Sequence, residues 1–347
     1  MKFGDVPVDA AEGCVLAHSM TVAGRRWPKG RVLSPADLFD LRAEGVATVI
    51  AARLERGDVS EDIAATRIAQ AIVGPGVEAR AAATGRVNLH ATTGGLFRVN
   101  ADTVNRINAV AESLTLATLP DLDAVEPGRM VATVKIIPFA VPEDTLALAE
   151  FLAAPEALSV APWRGRTVGL VQTRVTGTKE SMLEKTAATT AARLATCDSM
   201  LADERRCAHT VAAVTAALRT LRHEHCDMLL LIGASAITDR NDVLPAALEN
   251  VGGRVEHFGM PVDPGNLLML GWWDNIPVLG LPGCARSPKL NGADWVLRRL
   301  IADVPVTGRD IMGMGVGGLI NDVPERPLPR ARAVPQPPPT DTEGAES

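Results

Sequence analysis

The sequence predicts an α/β protein: a three-layer domain with a mainly parallel sheet, preceded by a smaller α+β N-terminal region. Two observations carry this prediction. From Arg166 onward, short apolar segments alternate with helical patterns at the spacing of βαβ units. Before Arg166, short strand-like and helical segments follow one another without that spacing. A parallel sheet with helices on both of its faces is the natural solution for the first pattern.

Turn and cap signals divide the chain into segments. Ser34 and Pro35 mark a helix start as N-cap and first helical residue, and that helix stops at Gly45. Gly74-Pro75-Gly76 and Ala153-Ala154-Pro155 mark the next two boundaries. The predicted segments are an α+β entry domain (1–75), a second α+β segment (76–160), the α/β domain (161–320) and a Pro-rich disordered tail (321–347).

The predicted elements follow from hydrophobic periodicity. In the first two segments they are helices at 34–44 and 102–112, a helix beginning at 61, and strands at 15–19, 31–33, 46–50, 86–90 and 130–137. In the α/β domain they are strands at 167–172, 228–232, 254–258 and 276–279 and helices at 179–195, 243–250 and 291–301.

Composition excludes several classes of protein. Lys and Arg total 35 against 41 Asp and Glu, and a net charge of −6 argues against a nucleic-acid-coating surface. The five cysteines show no CxxC spacing, which indicates reduced thiols in a cytoplasmic protein rather than a zinc site or a disulfide framework. We expect no signal peptide and no membrane span, because no apolar stretch is long enough.

The first candidate site is the loop that follows the predicted strand at 228–232. Gly233, Ala234 and Ser235 lie where a strand end presents backbone N–H groups to an anionic ligand. Asp239 and Asp242 lie just before a helix, where carboxylates can hold Mg²⁺ against a phosphate or position a reacting group. Acidic residues that favour a helix dipole explain the same pattern equally well. The loop alone does not decide between these interpretations.

The second candidate site is the loop at 281–288. Pro282 and Gly283 permit close approach of the backbone, and Arg286 and Ser287 can contact an anion, with Lys289 adding charge. An ordinary Pro-Gly turn is the alternative. The sequence favours a binding role, because three anion-friendly side chains within four positions exceed what a turn requires.

Two further stretches border the same predicted sheet edge. Thr173 and Gly177 lie on a loop with hydroxyls and a Lys that suit a phosphate, although the spacing of a P-loop is missing. Pro264 and Gly265 form a turn that either borders the cleft or is only a turn. The histidines do not have the spacing of a zinc set.

These loops resemble the molybdopterin-binding domain of molybdopterin adenylyltransferases and molybdotransferases. The resemblance is carried by IGAS at 232–235, NDVLP at 241–245, VDPGN at 262–266 and LPGC at 281–284. HFGMPVDPGNLLMLG and PGCARSPKLNGADWVLRRL are most similar to the molybdopterin-binding proteins often fused to a molybdenum cofactor cytidylyltransferase-type domain. GRVNLHATTGGLF extends the resemblance into the N-terminal half.

The resemblance implies a ligand, molybdopterin or its adenylylated form, together with Mg²⁺. It implies Asp242 and Asp239 as metal-binding and catalytic residues and the Gly283 loop as the site of the pterin phosphate. The cofactor-binding residues that it and the loop patterns imply are Gly233, Ala234, Ser235, Thr173, Gly177, Pro264, Gly265, Pro282, Gly283, Arg286 and Ser287. The expected partners are ATP or molybdate, a nucleotidyltransferase or molybdoenzyme, and further copies of the chain, with no nucleic acid and no membrane.

Two departures keep the function open. The turn has Gly233-Ala234 where catalytic relatives have Gly-Gly, and neither a C-terminal β domain nor a nucleotidyltransferase start follows the motifs. One hypothesis is therefore a transferase that performs adenylyl transfer or molybdate insertion. The other is a non-catalytic carrier or scaffold for the cofactor, with hydrolysis of nucleotide pyrophosphates as a third alternative.

Overall fold

The computed structural model describes residues 1–320, so the predicted disordered tail at 321–347 lies outside the described residues. The chain folds as a mixed α/β protein whose largest sheet has six strands, most of them parallel. This confirms the predicted α/β class with a mainly parallel sheet. Within residues 1–320, no helix combines the length and apolarity needed to cross a bilayer.

The first part of the chain is built on a three-stranded antiparallel sheet in the order β1-β5-β2. Its elements are β1 (Lys2–Pro7), β2 (Val15–Leu16), β3 (Met20–Val22), β4 (Arg25–Trp27), α1 (Pro35–Ala43) and β5 (Thr48–Arg53). Ser34 caps α1 in a capping box with Asp37, which confirms the predicted helix start. The strand predicted at 31–33 is reduced to a single bridge between Val32 and Val15.

The middle part combines three small antiparallel sheets with three helices around one apolar core. Its elements are β6 (Asp58–Ser60), α2 (Glu61–Ile72), β7 (Val77–Ala79), β8 (Arg86–Ala91), β9 (Gly95–Val99), α3 (Ala101–Asn108), β10 (Leu114–Thr118), β11 (Ala124–Val125), β12 (Met130–Ile136), β13 (Ala140–Pro142), α4 (Glu143–Leu152) and β14 (Leu158–Pro162). The predicted helix that begins at Glu61 and the strands near 86 and 130 are confirmed.

The last part of the described chain forms the six-stranded sheet, in the order β16-β15-β17-β20-β19-β18. Its elements are β15 (Thr167–Arg174), α5 (Glu180–Ala195), β16 (Met200–Ala208), α6 (Val211–His223), β17 (Met228–Ile232), α7 (Val243–Asn250), β18 (Arg254–Phe258), β19 (Met269–Trp273), β20 (Ile276–Gly280), α8 (Gly292–Ile301) and α9 (Gly308–Met312). The strands β16, β15, β17 and β20 pair in parallel, whereas β19 is antiparallel to both of its neighbours.

The central strand β17 has apolar side chains on both faces of the sheet, and helices pack against each face. All five of its residues are buried, and successive side chains point to opposite faces of a strand. Leu229 and Leu231 pack in a core with residues of α6 and α7. Leu230 packs in a second core with residues of α5 and α8. Burying each such Leu side chain contributes roughly 1.5–3 kcal/mol, so both faces stabilise the fold.

Two strands of this sheet were not predicted from the sequence. Strand β16 forms one edge, and it carries the charged run Asp203 to Arg206, which hides the alternation of a strand. Strand β19 contains Gly271 and the two Trp residues, of which Trp273 is buried in the core, as expected for a core or interface aromatic.

The order of the strands predicts a crevice at the carboxyl ends of β15 and β17. From β15 the chain crosses to β16 on one side, and it then returns to β17 on the other side of β15. In open α/β sheets, ligands bind at the carboxyl ends of the strands where the direction of winding reverses. The residues that follow β15 and β17 are therefore the first place to look for a functional site.

Candidate functional site

A cavity of about 230 Å³ lies beyond the carboxyl ends of β17 and β20. Two loops form most of its wall. Loop A is 233–237, directly after β17, and loop B is 281–290, directly after β20. The predicted cofactor-binding residues that line this cavity are Gly233, Ala234, Ser235, Pro282, Gly283 and Arg286. The structure thus brings six residues from the two predicted loops to one place.

Arg286 is the charged residue of this lining. Its Nη1 atom donates to Oγ1 of Thr186 at 2.9 Å and to Oε1 of Gln172 at 3.2 Å, and Nη2 donates to the carbonyl oxygen of Gly233 at 3.1 Å. All three acceptors are neutral. Within residues 1–320 the guanidinium forms no ion pair with a carboxylate. Burial lowers the pKa of Arg286 from its ordinary value, because the charged form loses hydration.

Loop A contributes two exposed residues to the same cavity. Ser235 and Ala236 line it, and within residues 1–320 neither of their backbone N–H groups has a hydrogen-bond acceptor. Unpaired N–H groups at a strand end are typical of an anion-binding concavity. Arg286 gives the cavity its positive charge, and these two residues of loop A line it beside that charge.

Thr173 holds loop A through a hydrogen bond to its backbone. Its side chain is buried at the end of β15, and its Oγ1 accepts a hydrogen bond from the backbone N–H of Ala234 at 2.7 Å. The same oxygen lies 2.8 Å from Nδ1 of His209, which follows β16. Thr173 therefore fixes the position of loop A and is not part of the cavity lining.

Two residues next to this site were not among the site residues predicted from the sequence. Gln172 is fully buried and contacts Arg286, and His209 contacts Thr173. Gln172 could have been found because it interrupts an apolar strand with a long amide that needs partners. His209 had no such signal, since its contact depends on the pairing of β16 with β15.

Loop B is held in place by Arg193 of α5. Its Nη1 donates to the carbonyl oxygen of Ala285 at 2.9 Å, and its Nη2 donates to the carbonyl oxygen of Ser287 at 2.8 Å. Its Nε lies 2.5 Å from Oδ1 of Asp294 in α8. These contacts flank Arg286 on both sides. The Cys284 thiol of the same loop has its pKa raised by burial, as expected for a packing residue rather than a nucleophile.

Asp239 and Asp242 lie outside the cavity lining. Oδ2 of Asp242 accepts from the backbone N–H of Thr238 at 3.0 Å, and its Oδ1 accepts from that of Val243 at 3.2 Å, so Asp242 caps α7. Oδ1 of Asp239 accepts from the backbone and side chain of Asn241, both at 2.8 Å. The described residues contain no cluster of three or more His, Cys, Asp or Glu side chains suited to a metal ion.

The remaining predicted residues do not line the cavity. Gly265 packs against the N-terminus of α8, where the carbonyl oxygen of Pro264 accepts from the backbone N–H of Gly292 at 2.8 Å. Gly177 lies on an exposed turn after β15 with a φ of 87°. Ser287 follows the 3₁₀ turn at Gly283–Arg286, and its Oγ accepts from the backbone N–H of Lys289 at 3.3 Å.

Larger cavities lie elsewhere in the described part of the chain, among them two of about 690 and 890 Å³ and two of about 300 Å³. We compare the first two with the cavity beside Arg286. Arginines also line them, but carboxylates stand opposite: Arg166 pairs with Asp303, and Arg299 pairs with Asp310. An arginine that already has a counter-charge gains less from an added anion. The smaller cavity beside Arg286 is the candidate for an anionic ligand because it also lies at the carboxyl ends of β17 and β20, where open α/β sheets bind their ligands.

Comparisons with known proteins identify no established family for the whole chain. A family model described as "Domain of unknown function (DUF8806)" matches residues 5–53. No curated protein matches. Among solved structures, the chain is similar to the molybdopterin biosynthesis MoeA protein from Pyrococcus horikosii, with 13% identity, 88% of this chain and 76% of that chain covered, and a TM-score of 0.31. At this identity and TM-score the likeness says nothing about what the present chain binds.

Proposed function

We propose that this chain is a molybdopterin-binding protein of molybdenum cofactor biosynthesis or maturation, with the ligand's phosphate in the cavity beside Arg286. The observation that carries the proposal is the guanidinium of Arg286, half-buried among neutral acceptors at the carboxyl edge of the sheet. A phosphate would supply the missing counter-charge through charge-assisted hydrogen bonds. The molybdopterin part of the proposal rests on the motif resemblance of the loops.

The size of the cavity supports a phosphate rather than a whole pterin inside it. Pockets that enclose a complete small molecule measure roughly 300–1,000 Å³, whereas this cavity measures about 230 Å³. A phosphate group therefore fits between loops A and B, and the pterin would extend outward. Met182 and Leu267 line the cavity and are exposed, so they offer apolar surface to the adjoining part of a ligand.

We propose that Mg²⁺ binds only together with the phosphate of the ligand. Asp239 and Asp242 already accept hydrogen bonds within their own loop, and they form no metal cluster with other described side chains. Mg²⁺ is often held by one or two carboxylates together with substrate phosphates. These residues would therefore contribute to a Mg²⁺ site only when the phosphate is present, and we derive no catalytic step through the metal.

Titration calorimetry tests this function directly. The protein is titrated with molybdopterin and with adenylylated molybdopterin, each with and without Mg²⁺, and the products are analysed after ATP or molybdate is added. We expect binding of at least one pterin and a loss of about 1.5–3 kcal/mol in binding free energy for Arg286→Gln, the range of a hydrogen bond to a charged group.

Two controls make the outcome decisive. Arg219 is exposed on α6, so Arg219→Gln removes the same charge away from the cavity and should leave binding unchanged. If neither pterin binds, or if Arg286→Gln binds as tightly as the unchanged protein, the proposal is wrong. Asp239→Asn should weaken only the Mg²⁺-dependent part of binding, because its carboxylate lies outside the cavity.

The second candidate function is that of a non-catalytic carrier or scaffold. The observation that favours it is the cavity lining, in which Arg286 is the only ionisable side chain among the described residues. A transferase would use ATP or molybdate and yield a changed pterin, whereas a carrier would return the pterin unchanged. Product analysis separates the two, and it also exposes hydrolysis of a nucleotide pyrophosphate as a third outcome.

A further inference from the structure

A buried amide separates Arg286 from the nearest network of carboxylates. Gln172 is the sixth residue of β15 and is fully buried. Its Nε2 donates to the carbonyl oxygen of Leu183 at 2.8 Å and to Oε1 of Glu204 at 2.7 Å. Because both donor positions of the amide are occupied, its Oε1 is the atom that faces Arg286, at 3.2 Å from Nη1.

Glu204 also forms an ion pair with a second arginine, Arg206. Nε of Arg206 lies 2.6 Å from Oε1 of Glu204, and Nη2 of Arg206 lies 2.9 Å from Oε2. Arg206 also contacts the carboxylate of Glu180. Arg206 therefore supplies the counter-charge of Glu204.

We propose that Gln172 is a positioning residue of the anion site: it anchors Arg286 with a neutral acceptor and keeps the carboxylate of Glu204 from neutralising it. This inference rests on the proposed phosphate site and adds what makes that site selective for an anion. A glutamate at position 172 would have nearly the same shape. It would place a negative charge where the amide oxygen now lies and occupy Arg286 before any ligand arrived.

The charges around position 172 support this assignment. Strand β16 contributes Glu204 and Arg206, loop B contributes Arg286, and α5 contributes the neutral groups of Leu183 and Thr186. A neutral amide between a guanidinium and a carboxylate differs from the direct ion pair of the nearly buried Arg193 with Asp294. The amide therefore accounts for the absence of a counter-charge on Arg286 within residues 1–320.

The test measures the affinity of the purified protein for sulfate, a probe that stays dianionic at neutral pH. We expect Gln172→Glu to weaken sulfate binding by at least about tenfold, which corresponds to roughly 1.4 kcal/mol. The neutral variant Gln172→Met removes one acceptor of Arg286 but adds no charge. Because Thr186 and the carbonyl group of Gly233 still hold the guanidinium, this variant should lose no more than about threefold in affinity. Gln70 is exposed on α2, so Gln70→Glu supplies the same charge change at a distant place and should have no effect.

Thermal unfolding of each variant separates positioning from folding. If Gln172→Glu and Gln172→Met lose affinity equally, the residue is only structural and the inference is overturned. It is also overturned if both variants bind sulfate as the unchanged protein does. Failure of the unchanged protein to bind sulfate would instead overturn the proposed phosphate site itself.

A second variant keeps the inference testable if Gln172→Glu does not fold. Glu204→Gln removes the carboxylate that Gln172 is inferred to hold away from Arg286. Because that carboxylate is already insulated from the cavity, sulfate affinity should change by less than about threefold. A gain of about tenfold or more would mean that Glu204 already neutralises Arg286, and it would contradict the inference.

Discussion

Arg193 and Asp294 form a nearly buried ion pair that joins α5 to α8. Nε of Arg193 lies 2.5 Å from Oδ1 of Asp294, and the two side chains are 11% and 6% exposed. Asp294 also accepts a hydrogen bond from the backbone N–H of Asn291 at 2.8 Å, which closes the capping box of α8. The same arginine holds the carbonyl groups on both sides of Arg286. One side chain thus connects the packing of the fold to the shape of the candidate site.

We predict that Arg193→Gln lowers the free energy of unfolding by about 3–5 kcal/mol, because it leaves the buried carboxylate of Asp294 without its counter-charge. Urea unfolding followed by circular dichroism measures this change. The exposed variant Arg219→Gln should stay within about 0.5 kcal/mol of the unchanged protein. Equal stability of the two variants would show that the ion pair contributes little.

Substitution by alanine should lower the stability at Gly233 but not at Gly283. At Gly233 an added Cβ would lie 2.4 Å from the carbonyl oxygen of Ser235, so Gly233→Ala must shift loop A and destabilise the protein. At Gly283 an added Cβ would meet no atom of residues 1–320 within 4 Å. We therefore expect Gly283→Ala to keep its melting temperature but to weaken ligand binding, because the methyl group projects from the cavity lining. Unchanged affinity would remove Gly283 from the proposed site.

Thr173→Val should destabilise loop A. The backbone N–H of Ala234 would lose its acceptor at a partly buried position, at a cost of about 1 kcal/mol. Thr173→Ser keeps the hydroxyl and serves as the matched control, with most of the stability retained. Chemical denaturation compares the two variants, and equal losses would point to packing of the methyl group instead of the hydrogen bond.

Asp242 should stabilise the protein through its charge in a defined pH range. The backbone N–H of Thr238, which donates to Asp242, holds the pKa of that carboxyl below its usual value. A lowered pKa means that the stabilisation is complete above the unfolded-state pKa of about 3.9 and is lost as the pH falls through the folded value. Asp242→Ala should cost about 1 kcal/mol at pH 7, as for other N-caps.

Asp242→Asn separates charge from capping geometry. Asn is also a good N-cap, so this variant should lose only the part of the stability that depends on charge. The difference in melting temperature between Asp242→Asn and the unchanged protein should therefore narrow below about pH 4. A difference that is constant from pH 3 to pH 7 would contradict the role of the charge.

Much of the fold and part of the candidate site could be predicted from the sequence. The alternation of apolar strands and helices defined the parallel core, because a strand such as β17 must be apolar on both faces when helices cover both. Loops A and B were recognised because Gly and Pro follow these strands directly. The antiparallel strand β19 and the edge strand β16 escaped, because glycine and charged residues there hide the period of two.

The sequence by itself determined which residues follow the strands, and hence that Gly233 and Gly283 belong to loops at the same edge of a sheet. Only the tertiary structure decided what surrounds Arg286. Whether a guanidinium meets a carboxylate or an amide depends on which strands pair. The parallel register of β15 and β16, with Gln172 opposite Arg206, brings Gln172 and Glu204 together. Contacts between residues more than 30 positions apart in the chain leave no local pattern, because they arise from chain topology rather than from periodicity.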